Sequence, residues 1–320
     1  MNTILVTGGC GYLGSQLIRD LATDPQTRDT TIRILDNLEG GGYRALMDLP
    51  ASGRYQFVEG DILDPAVVRV ALQDVDAVAH LAAIVRTPMS FDNPAHMEQV
   101  NHWGTAHLVE ACIESGVSRF IYTSSTAVYG PGGPFTEADV CRPQGAYARS
   151  KFHAEKSVLS AADRGMRTAV LRLGTLFGWA PVTRFDAVAN RFAYLAGTRK
   201  SLTVYGDGKQ RRPLVHVSDA SAAIRLALMH LETMNGQVAN VIGENAAILD
   251  IVEAVRASAP NVVVRFTEQD IRTHLSFEVA DSIFYRAGWQ PQVSLQEGLA
   301  ELLGRFQMFD TVVLPRYDDE

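Results

Sequence analysis

The chain has 320 residues, of which 47% are hydrophobic and 20% are charged, and its formal net charge is -7. This length and balance predict a globular protein with one large domain or two fused domains. The acidic charge argues against nucleic acid as a partner, because phosphates demand clustered Lys and Arg, and no apolar run approaches the roughly 20 residues of a membrane span.

The first half of the chain alternates short β-branched runs with helical patterns. Its N-terminus runs from an apolar stretch directly into glycines, which is typical of a first strand rather than of a signal peptide. The predicted strands are Thr3–Thr7, Thr31–Leu35, Gln56–Glu59, Ala77–Leu81, Arg119–Ser124 and Thr168–Leu173. The predicted helices are Tyr12–Ala22, Pro65–Leu72, Asn101–Ser115 and Ala146–Arg164. This alternation predicts an α/β fold with a doubly wound parallel sheet of the Rossmann type, which binds ligands at the carboxyl ends of its strands.

The pattern loosens after Phe177. The elements predicted there are a helix at Phe185–Leu195, a strand and helix over Leu214–His230 that return to the sheet, a strand at Gln237–Ile242, and two amphipathic helices around Val262–Phe266 within Leu249–Phe306. We predict that residues 1–176 and 213–242 form the Rossmann domain. Residues 177–212 and 243–320 then form a smaller interleaved α/β substrate domain, whose tail from Asp310 is a surface strap or disordered.

A glycine-rich segment, Gly8-Gly9-Cys10-Gly11-Tyr12-Leu13-Gly14, follows the first predicted strand and opens a helix. Glycine at positions 8 and 11 lets the backbone turn tightly and approach a pyrophosphate, and Gly14 lets the helix press against the sheet. The helix N-terminus adds unbonded N–H groups and a positive dipole end. The segment predicts a phosphate cradle, with an ordinary glycine-rich turn as the alternative.

Two carboxylates follow the next predicted strands. Asp36 ends the second strand about 20 residues beyond the glycine segment, where an acid binds the adenosine ribose hydroxyls. A carboxylate there repels a 2′-phosphate and favours NAD over NADP, and the alternative is a capping or turn residue ahead of Asn37. Asp61, within Gly60-Asp61-Ile62, is expected to hold the adenine edge or to serve only in a turn.

Tyr147 and Lys151 lie one helical turn apart on a predicted helix and share one face. A free tyrosine has a pKa of about 10, and a neighbouring ammonium lowers it. The pair therefore predicts a proton carrier for a hydroxyl that becomes a ketone. A second segment, Tyr122–Gly130, ends a strand in four hydroxyl residues. The alternatives are a solvated lysine with a packed tyrosine, and a strand-end turn rich in Ser and Thr.

Together these segments resemble the extended short-chain dehydrogenase/reductase superfamily, in its NAD-dependent epimerase/dehydratase branch, over nearly the whole chain. The matching segments are Thr7–Gly14, Leu35–Leu38, Gly60–Ile62, His80–Ala83, Asn101 with Gly104-Thr105, Ser125–Gly130, Tyr147 with Lys151, Arg212–Asp219 and Gly288–Pro291. The resemblance implies that Ser125 is the catalytic hydroxyl, Tyr147 the acid/base, and Lys151 the ligand of the nicotinamide ribose. It implies NAD as cofactor, bound by Gly8, Gly11, Tyr12, Leu13, Gly14, Asp36, Asn37, Asp61, Ile62, Leu81, Ala82, Ala83, Asn101, Tyr147 and Lys151.

The same resemblance narrows the reaction on a nucleotide sugar. Dehydratases and decarboxylases of this branch usually have Glu at the position of Ala127 and sometimes Asp at that of Thr126, and epimerases acting beside the ketone often have Cys there. Without these groups only hydride chemistry remains, which fits a 4-epimerase that oxidises C4 and returns hydride to the opposite face. A 4-ketoreductase is the alternative, and a non-catalytic dinucleotide sensor is a third, although sensors typically lose the tyrosine or lysine.

The substrate half is expected to hold the diphosphate through Arg212 and Arg272, because guanidinium groups grip phosphate in a fork. Asn190 lies at a position where the family often has an amide side chain that binds the substrate. The segment Leu173–Gly178 departs from the family pattern. The expected substrate-binding residues are Arg86, Ser90, Ser125, Thr126, Thr175, Asn190, Arg212 and Arg272. The resemblance also implies a homodimer formed through the helices at Asn101–Ser115 and Ala146–Arg164.

The cysteines and histidines bear on the redox compartment of the protein and on whether it binds a metal. The three cysteines are scattered and odd in number, which argues against a disulfide framework and predicts a reducing, cytoplasmic compartment. The eight histidines form no H-E-x-x-H motif and have no Cys-x-x-Cys partner. We therefore expect no metal site.

Overall fold

The structure is a computed structural model, and it describes residues 1–40, 42–85, 93–268, 276–280 and 283–306. The strands are β1 (Thr3–Thr7), β2 (Thr31–Asp36), β3 (Arg54–Glu59), β4 (Ala77–His80), β5 (Arg119–Ser125), β6 (Gly132–Phe135), β7 (Arg167–Leu173), β8 (Thr175–Phe177), β9 (Leu202–Tyr205), β10 (Arg211–His216), β11 (Gln237–Val241), β12 (Glu244–Ala247), β13 (Val264–Thr267) and β14 (Phe277–Val279). The α-helices are α1 (Tyr12–Thr23), α2 (Pro65–Ala71), α3 (Pro94–Glu98), α4 (Thr105–Glu114), α5 (Gly145–Ser160), α6 (Val188–Gly197), α7 (Val217–Met229), α8 (Ile248–Ser258) and α9 (Leu295–Gly304).

A seven-stranded parallel sheet in the order β11-β7-β5-β4-β1-β2-β3 forms the centre of the described part of the chain. Every residue of β1 is buried, as expected for a strand covered on both faces. Ile4 and Val6 pack on the side of α1 and α7, whereas Leu5 packs on the side of α4 and α5. The predicted doubly wound α/β fold is confirmed, and the ends of the predicted strands in the first half shift by at most two residues.

The second half of the chain differs from expectation at β10. This strand does not join the large sheet, because it pairs with β8 and β12 in a separate three-stranded sheet. The elements that return to the large sheet are α7, which packs on α1, and β11, which pairs with β7. The helix expected from Phe185 begins only at Val188, and the residues before it form a loop.

A smaller unit packs beside the large sheet. The helices α6, α8 and α9 share a core with β9 and β10, centred on Phe192, Leu214 and Leu299. The two amphipathic helices predicted around Val262–Phe266 are α8 and α9, and the strand between them is β13, which pairs in parallel with β9. The residues from Asp310 lie outside the described residues, and the division of the chain into two domains stays a prediction.

The carboxyl ends of the parallel strands position the candidate site. The glycine segment follows β1, Asp36 ends β2, and Ser125 ends β5. The predicted helix at Asn101–Ser115 contains α4, preceded by a π-helical turn over Gln99–Gly104. No helix in the described ranges has the length and apolar character needed to cross a membrane.

Candidate active site

The glycine segment packs closely against two neighbouring pieces of backbone. Gly8 has a φ of +70°, and a Cβ there would lie 2.6 Å from the backbone nitrogen of Ala82. A Cβ on Gly14 would lie 2.3 Å from the carbonyl oxygen of Gly8, so only glycine lets α1 start this near the loop. Gly11 caps α1 without a side-chain bond, which leaves the N–H groups of Tyr12 and Leu13 at a helix terminus suited to an anion.

Asp36 joins the end of β2 to the glycine segment. Its two carboxylate oxygens accept the backbone N–H groups of Cys10 and Leu38, each at 2.9 Å. Asn37 donates to Asp61 at 3.0 Å, and Asp61 also accepts the backbone N–H of Leu63. Asp61 therefore serves a turn and holds the strand ends together, and its contact with an adenine stays a prediction.

Asn101 is fully buried and uses its amide within the protein. Its oxygen accepts the N–H of Ile84, and its nitrogen donates to the carbonyl of Ile84 and to the hydroxyl of Ser150. These bonds tie the segment after β4, which contains Leu81, Ala82 and Ala83, to the helix α5. In this structure Asn101 thus positions two parts of the site.

Lys151 lies under the site in a closed environment. Its side chain is buried, its Nζ donates to the carbonyl of Thr123 at 2.7 Å, and it lies 4.7 Å from the centroid of the Tyr122 ring. Burial lowers the pKa of Lys151 to about 7, and the carboxylate of Glu155 opposes this shift. The other side of the Tyr122 ring stacks on His80, whose pKa burial and Lys151 lower to about 3.

Tyr147 is half-buried near the start of α5. Burial raises the pKa of its phenol above the usual value, while the cation of Arg184 and the hydroxyl of Ser125 oppose that rise. Lys151 donates to the carbonyl of Thr123, and its effect on the pKa of the Tyr147 phenol stays a prediction. Arg184 is a cation that favours the phenolate, and the sequence analysis missed it.

A buried ion pair supports the catalytic helix from within the core. Arg172 contacts both carboxylate oxygens of Glu155, at 3.0 and 2.7 Å, and Ser124 donates to the same carboxylate at 2.5 Å. Glu155 lies one turn beyond Lys151 on α5, so it was readable as the third member of a helix face with Tyr147. The sequence analysis also missed this residue.

Two residues that were expected to contact the substrate, Thr126 and Asn190, bond within the protein in this structure, and their contact with a substrate stays a prediction. Thr126 is buried, and its hydroxyl donates to the carbonyl of Leu173 in the core. Asn190 is also buried, and its amide bonds to the N–H of Gly178, the phenol of Tyr12 and the carbonyl of Arg184. Both side chains hold the framework of the protein, because their polar groups are used by neighbouring backbone and side-chain atoms.

The other expected substrate contacts stay predictions. Arg212 is half-buried near the Phe277 ring, and burial lowers its pKa to about 10. Thr175 is half-buried on β8 beside Leu214. Arg86, Ser90 and Arg272 lie outside the described residues.

The sequence profile of the NAD dependent epimerase/dehydratase family matches residues 4–243 of the chain. The protein belongs to this family. It is therefore an NAD-dependent enzyme of the extended short-chain dehydrogenase/reductase type, as expected from the sequence. The glycine segment and Asp36 provide the close backbone approach and the carboxylate that suit NAD.

Relatives of this family member cover almost its whole length. It is 30% identical over 311 residues to the dTDP-glucose 4,6-dehydratase of Streptomyces niveus, covering 93% of this chain and 90% of that protein. It is 30% identical over 319 residues to the UDP-glucose 4-epimerase of Azospirillum brasilense, covering 92% and 89%. The UDP-glucuronic acid 4-epimerase of Bacillus cereus, solved with UDP-glucuronic acid and NAD, matches with a TM-score of 0.84 at 27% identity, covering 96% and 99%. Identity therefore does not separate an epimerase from a dehydratase.

Proposed function

We propose that this enzyme is an NAD-dependent nucleotide-sugar 4-epimerase that works through a transient 4-keto sugar. The observation behind the proposal is the turn after β5, which has Ser125, Thr126 and Ala127 and contains no carboxylate. Loss of water or carbon dioxide beside a ketone needs a group that moves protons at carbon, and this turn offers none. The hydroxyl of Thr126 also points into the core. Chemistry at the C4 hydroxyl needs only a proton carrier and a hydride acceptor.

The glycine segment, Asp36 and Lys151 are the residues that would hold NAD. When bound, NAD supplies a hydride acceptor and donor for C4 of the sugar. Each oxygen of Asp36 accepts one backbone N–H and retains lone-pair capacity for a ribose hydroxyl. A cofactor retained and recycled in place suits an epimerase, which has no net redox change.

Tyr147 is the proposed carrier of the O4 proton. The hydroxyl of Ser125 interacts with the phenol, so both groups can bind the same sugar oxygen. Lys151 is fixed by the carbonyl of Thr123, which keeps its Nζ at a constant position below the site. Arg184 favours the phenolate form that accepts the proton.

Arg212 is the proposed ligand of the substrate diphosphate. Its guanidinium is already largely removed from water, so an anionic ligand gains more from it than from an exposed arginine. Thr175, at the start of the neighbouring strand β8, is proposed to contact the sugar. A direct assay is needed to identify the nucleoside and the sugar of the substrate.

We also propose that the enzyme acts as a homodimer through α4 and α5 and the turn before α4. The side chain of Trp103 is 63% exposed there. It borders a hollow of about 340 Å³ lined by Ala106, His107, Glu110, Ser157 and Ser160. An exposed aromatic ring beside a hollow on two adjacent helices is suited to a second copy of the chain.

Incubation with UDP- and dTDP-sugars tests the reaction. Proton NMR follows the configuration at C4, and absorbance follows the reduced nicotinamide. We expect inversion at C4 with no net change in cofactor. A 4-keto-6-deoxy product would instead show a dehydratase, stoichiometric oxidation of added NADH by a 4-keto sugar would show a ketoreductase, and tight NAD binding without turnover of any sugar would show a sensor.

Tyr147→Phe tests the role of the phenol. Loss of one acid/base group is expected to lower turnover by about 10²–10⁴-fold while leaving NAD binding near the wild-type value. Tyr194→Phe on α6 is the matched control and should keep full turnover. Unchanged turnover in Tyr147→Phe would contradict the proposed mechanism.

A further inference from the structure

Three side chains with metal-binding atoms converge beside the catalytic helix. Glu98 ends α3, His102 lies one turn later in the π-helical turn, and His153 lies on α5. One oxygen of Glu98 is 2.7 Å from Nδ1 of His102 and 3.0 Å from Nδ1 of His153. The two imidazole rings lie 5.2 Å apart between centroids.

The spacing of these atoms suits one small cation. The three candidate ligand atoms all lie within 4.8 Å of one another. Zinc–ligand bonds of about 2.0–2.2 Å in a tetrahedral site place ligand atoms roughly 3.4 Å apart. The two separations from Glu98, 2.7 and 3.0 Å, are hydrogen-bond distances, and the third is at most 4.8 Å. Side-chain rotations that widen the first two and adjust the third would bring all three atoms to the zinc spacing.

In the single chain, the exposure of the cluster gives an ion a route in and an open position. The side chains of His102, Glu98 and His153 are 19%, 33% and 42% exposed. Two imidazoles and one carboxylate form a ligand set that zinc uses with water in the fourth position. The π-helical turn is also a conformation that is frequent at functional sites.

We propose that Glu98, His102 and His153 bind one divalent transition-metal ion, with Zn²⁺ as the fitting species. The ion occupies the space between the Glu98 carboxylate and the two imidazole Nδ1 atoms, and each neutral imidazole then carries its proton on Nε2. It then connects α3 and the π-helical turn to α5 by bonds stronger than the present hydrogen bonds. The linear sequence shows no metal motif here, because His153 comes from a separate helix.

The metal also has a structural consequence near the site. Asn101 lies in the same π-helical turn, and its amide already bonds to Ser150 of α5. A metal bridge from His102 to His153 clamps the same two elements a second time. Zn²⁺ is therefore expected to raise the melting temperature of the protein. This expectation is independent of the reaction that the enzyme catalyses.

Titration with ZnCl₂ tests the site in the full chain, without an affinity tag and after removal of metal with EDTA. Calorimetry gives affinity and stoichiometry per chain, and Co²⁺ absorption reports the ligand geometry. The variants are His153→Ala and Glu98→Gln, and His230→Ala is the matched control because His230 is an exposed histidine at the end of α7. Melting of each EDTA-treated variant shows whether it is folded, and its oligomeric state is measured with and without Zn²⁺.

We expect one Zn²⁺ per wild-type chain, a tetrahedral Co²⁺ spectrum, and a higher melting temperature with Zn²⁺. His153→Ala and Glu98→Gln should each weaken Zn²⁺ binding by at least about tenfold, whereas His230→Ala should bind as the wild type does. The proposal is overturned if the wild type binds no Zn²⁺. It is equally overturned if the two ligand variants retain wild-type affinity, which would leave the cluster as a hydrogen-bonded surface triad.

Discussion

Two opposing effects act on the pKa of the Tyr147 phenol. Burial favours the neutral phenol and raises its pKa, while Arg184, from the loop before α6, pulls the pKa down. Arg184 is itself held by a two-pronged ion pair with Asp186, at 2.9 and 2.6 Å. A loop residue thus adjusts the proton affinity of a helix residue.

Arg184→Gln is expected to shift the pH dependence of turnover. Removing this cation raises the pKa of Tyr147 further, so the acidic limb of the kcat/KM profile should move to higher pH. Arg184→Lys should retain the wild-type limb because it retains the charge. Arg191→Gln, an exposed arginine on α6, is the control. An identical profile for Arg184→Gln and the wild type would refute this role.

Glu155→Gln is expected to destabilise the protein strongly. The Glu155 and Arg172 side chains are only 2% and 6% exposed, and removing one partner of a buried pair typically costs about 3–5 kcal/mol. Urea unfolding measures the change in the free energy of unfolding. The double variant Glu155→Gln/Arg172→Met should recover part of the loss, because it leaves no unpaired charge.

An exposed pair provides the comparison for this measurement. Glu253 and Arg256 are 67% and 44% exposed, and surface pairs contribute about 0–1 kcal/mol. Glu253→Gln should therefore change the free energy of unfolding little. If Glu155→Gln changes it no more than Glu253→Gln does, the buried pair is not a support for α5.

At the scale of elements, the distance between α1 and the glycine segment sets the cofactor site. Gly14→Ala places a methyl group 2.3 Å from the carbonyl oxygen of Gly8 and forces the helix away from the loop. Overpacking of this kind costs about 1–3 kcal/mol, and NAD should bind more weakly because the loop moves. Gly40→Ala is the control, since a Cβ there has no neighbour within 4 Å. Calorimetric NAD titration and thermal unfolding of both variants test the expectation, which equal NAD affinities would contradict.

At the scale of the whole molecule, the exposed face of α4 and α5 is the surface proposed for assembly. Trp103→Glu places a charge in the proposed interface and should convert the dimer to a monomer, as measured by sedimentation velocity. Val70→Glu on α2 is the control, because Val70 is also exposed, at 53%, and lies on another helix. A wild-type protein that sediments as a monomer would remove this interface from consideration.

The large sheet was predictable because its strands are local apolar runs separated by helices. The segment Leu214–His230 shows where that reasoning fails. Its strand has the same composition as a strand of the large sheet, yet it pairs with β8 and β12. Composition indicates that a segment is extended and buried, but only long-range pairing selects its neighbours.

The candidate site was likewise predictable where it depends on local spacing, and not where it depends on contacts between distant parts of the chain. The spacing of Tyr147 and Lys151 on one helix was visible because it is local. Three other features were not visible in the sequence. The Thr126 hydroxyl points into the core, and the Asn190 amide bonds to Gly178, Tyr12 and Arg184. Glu98 also lies next to His153. Each of these depends on which distant backbone or side chain lies opposite the residue.

By itself, the sequence determined the α/β class, the family and the dinucleotide cofactor, because these follow from glycine spacing, strand ends and a single helical turn. The tertiary structure alone decided which hydroxyls and amides are consumed by the framework. It also decided that Arg184 lowers the pKa of the Tyr147 phenol and that the Lys151 ammonium donates to the carbonyl of Thr123. The physical reason is that electrostatic interactions and hydrogen bonds depend on distances in space, and folding brings together residues that are far apart along the chain.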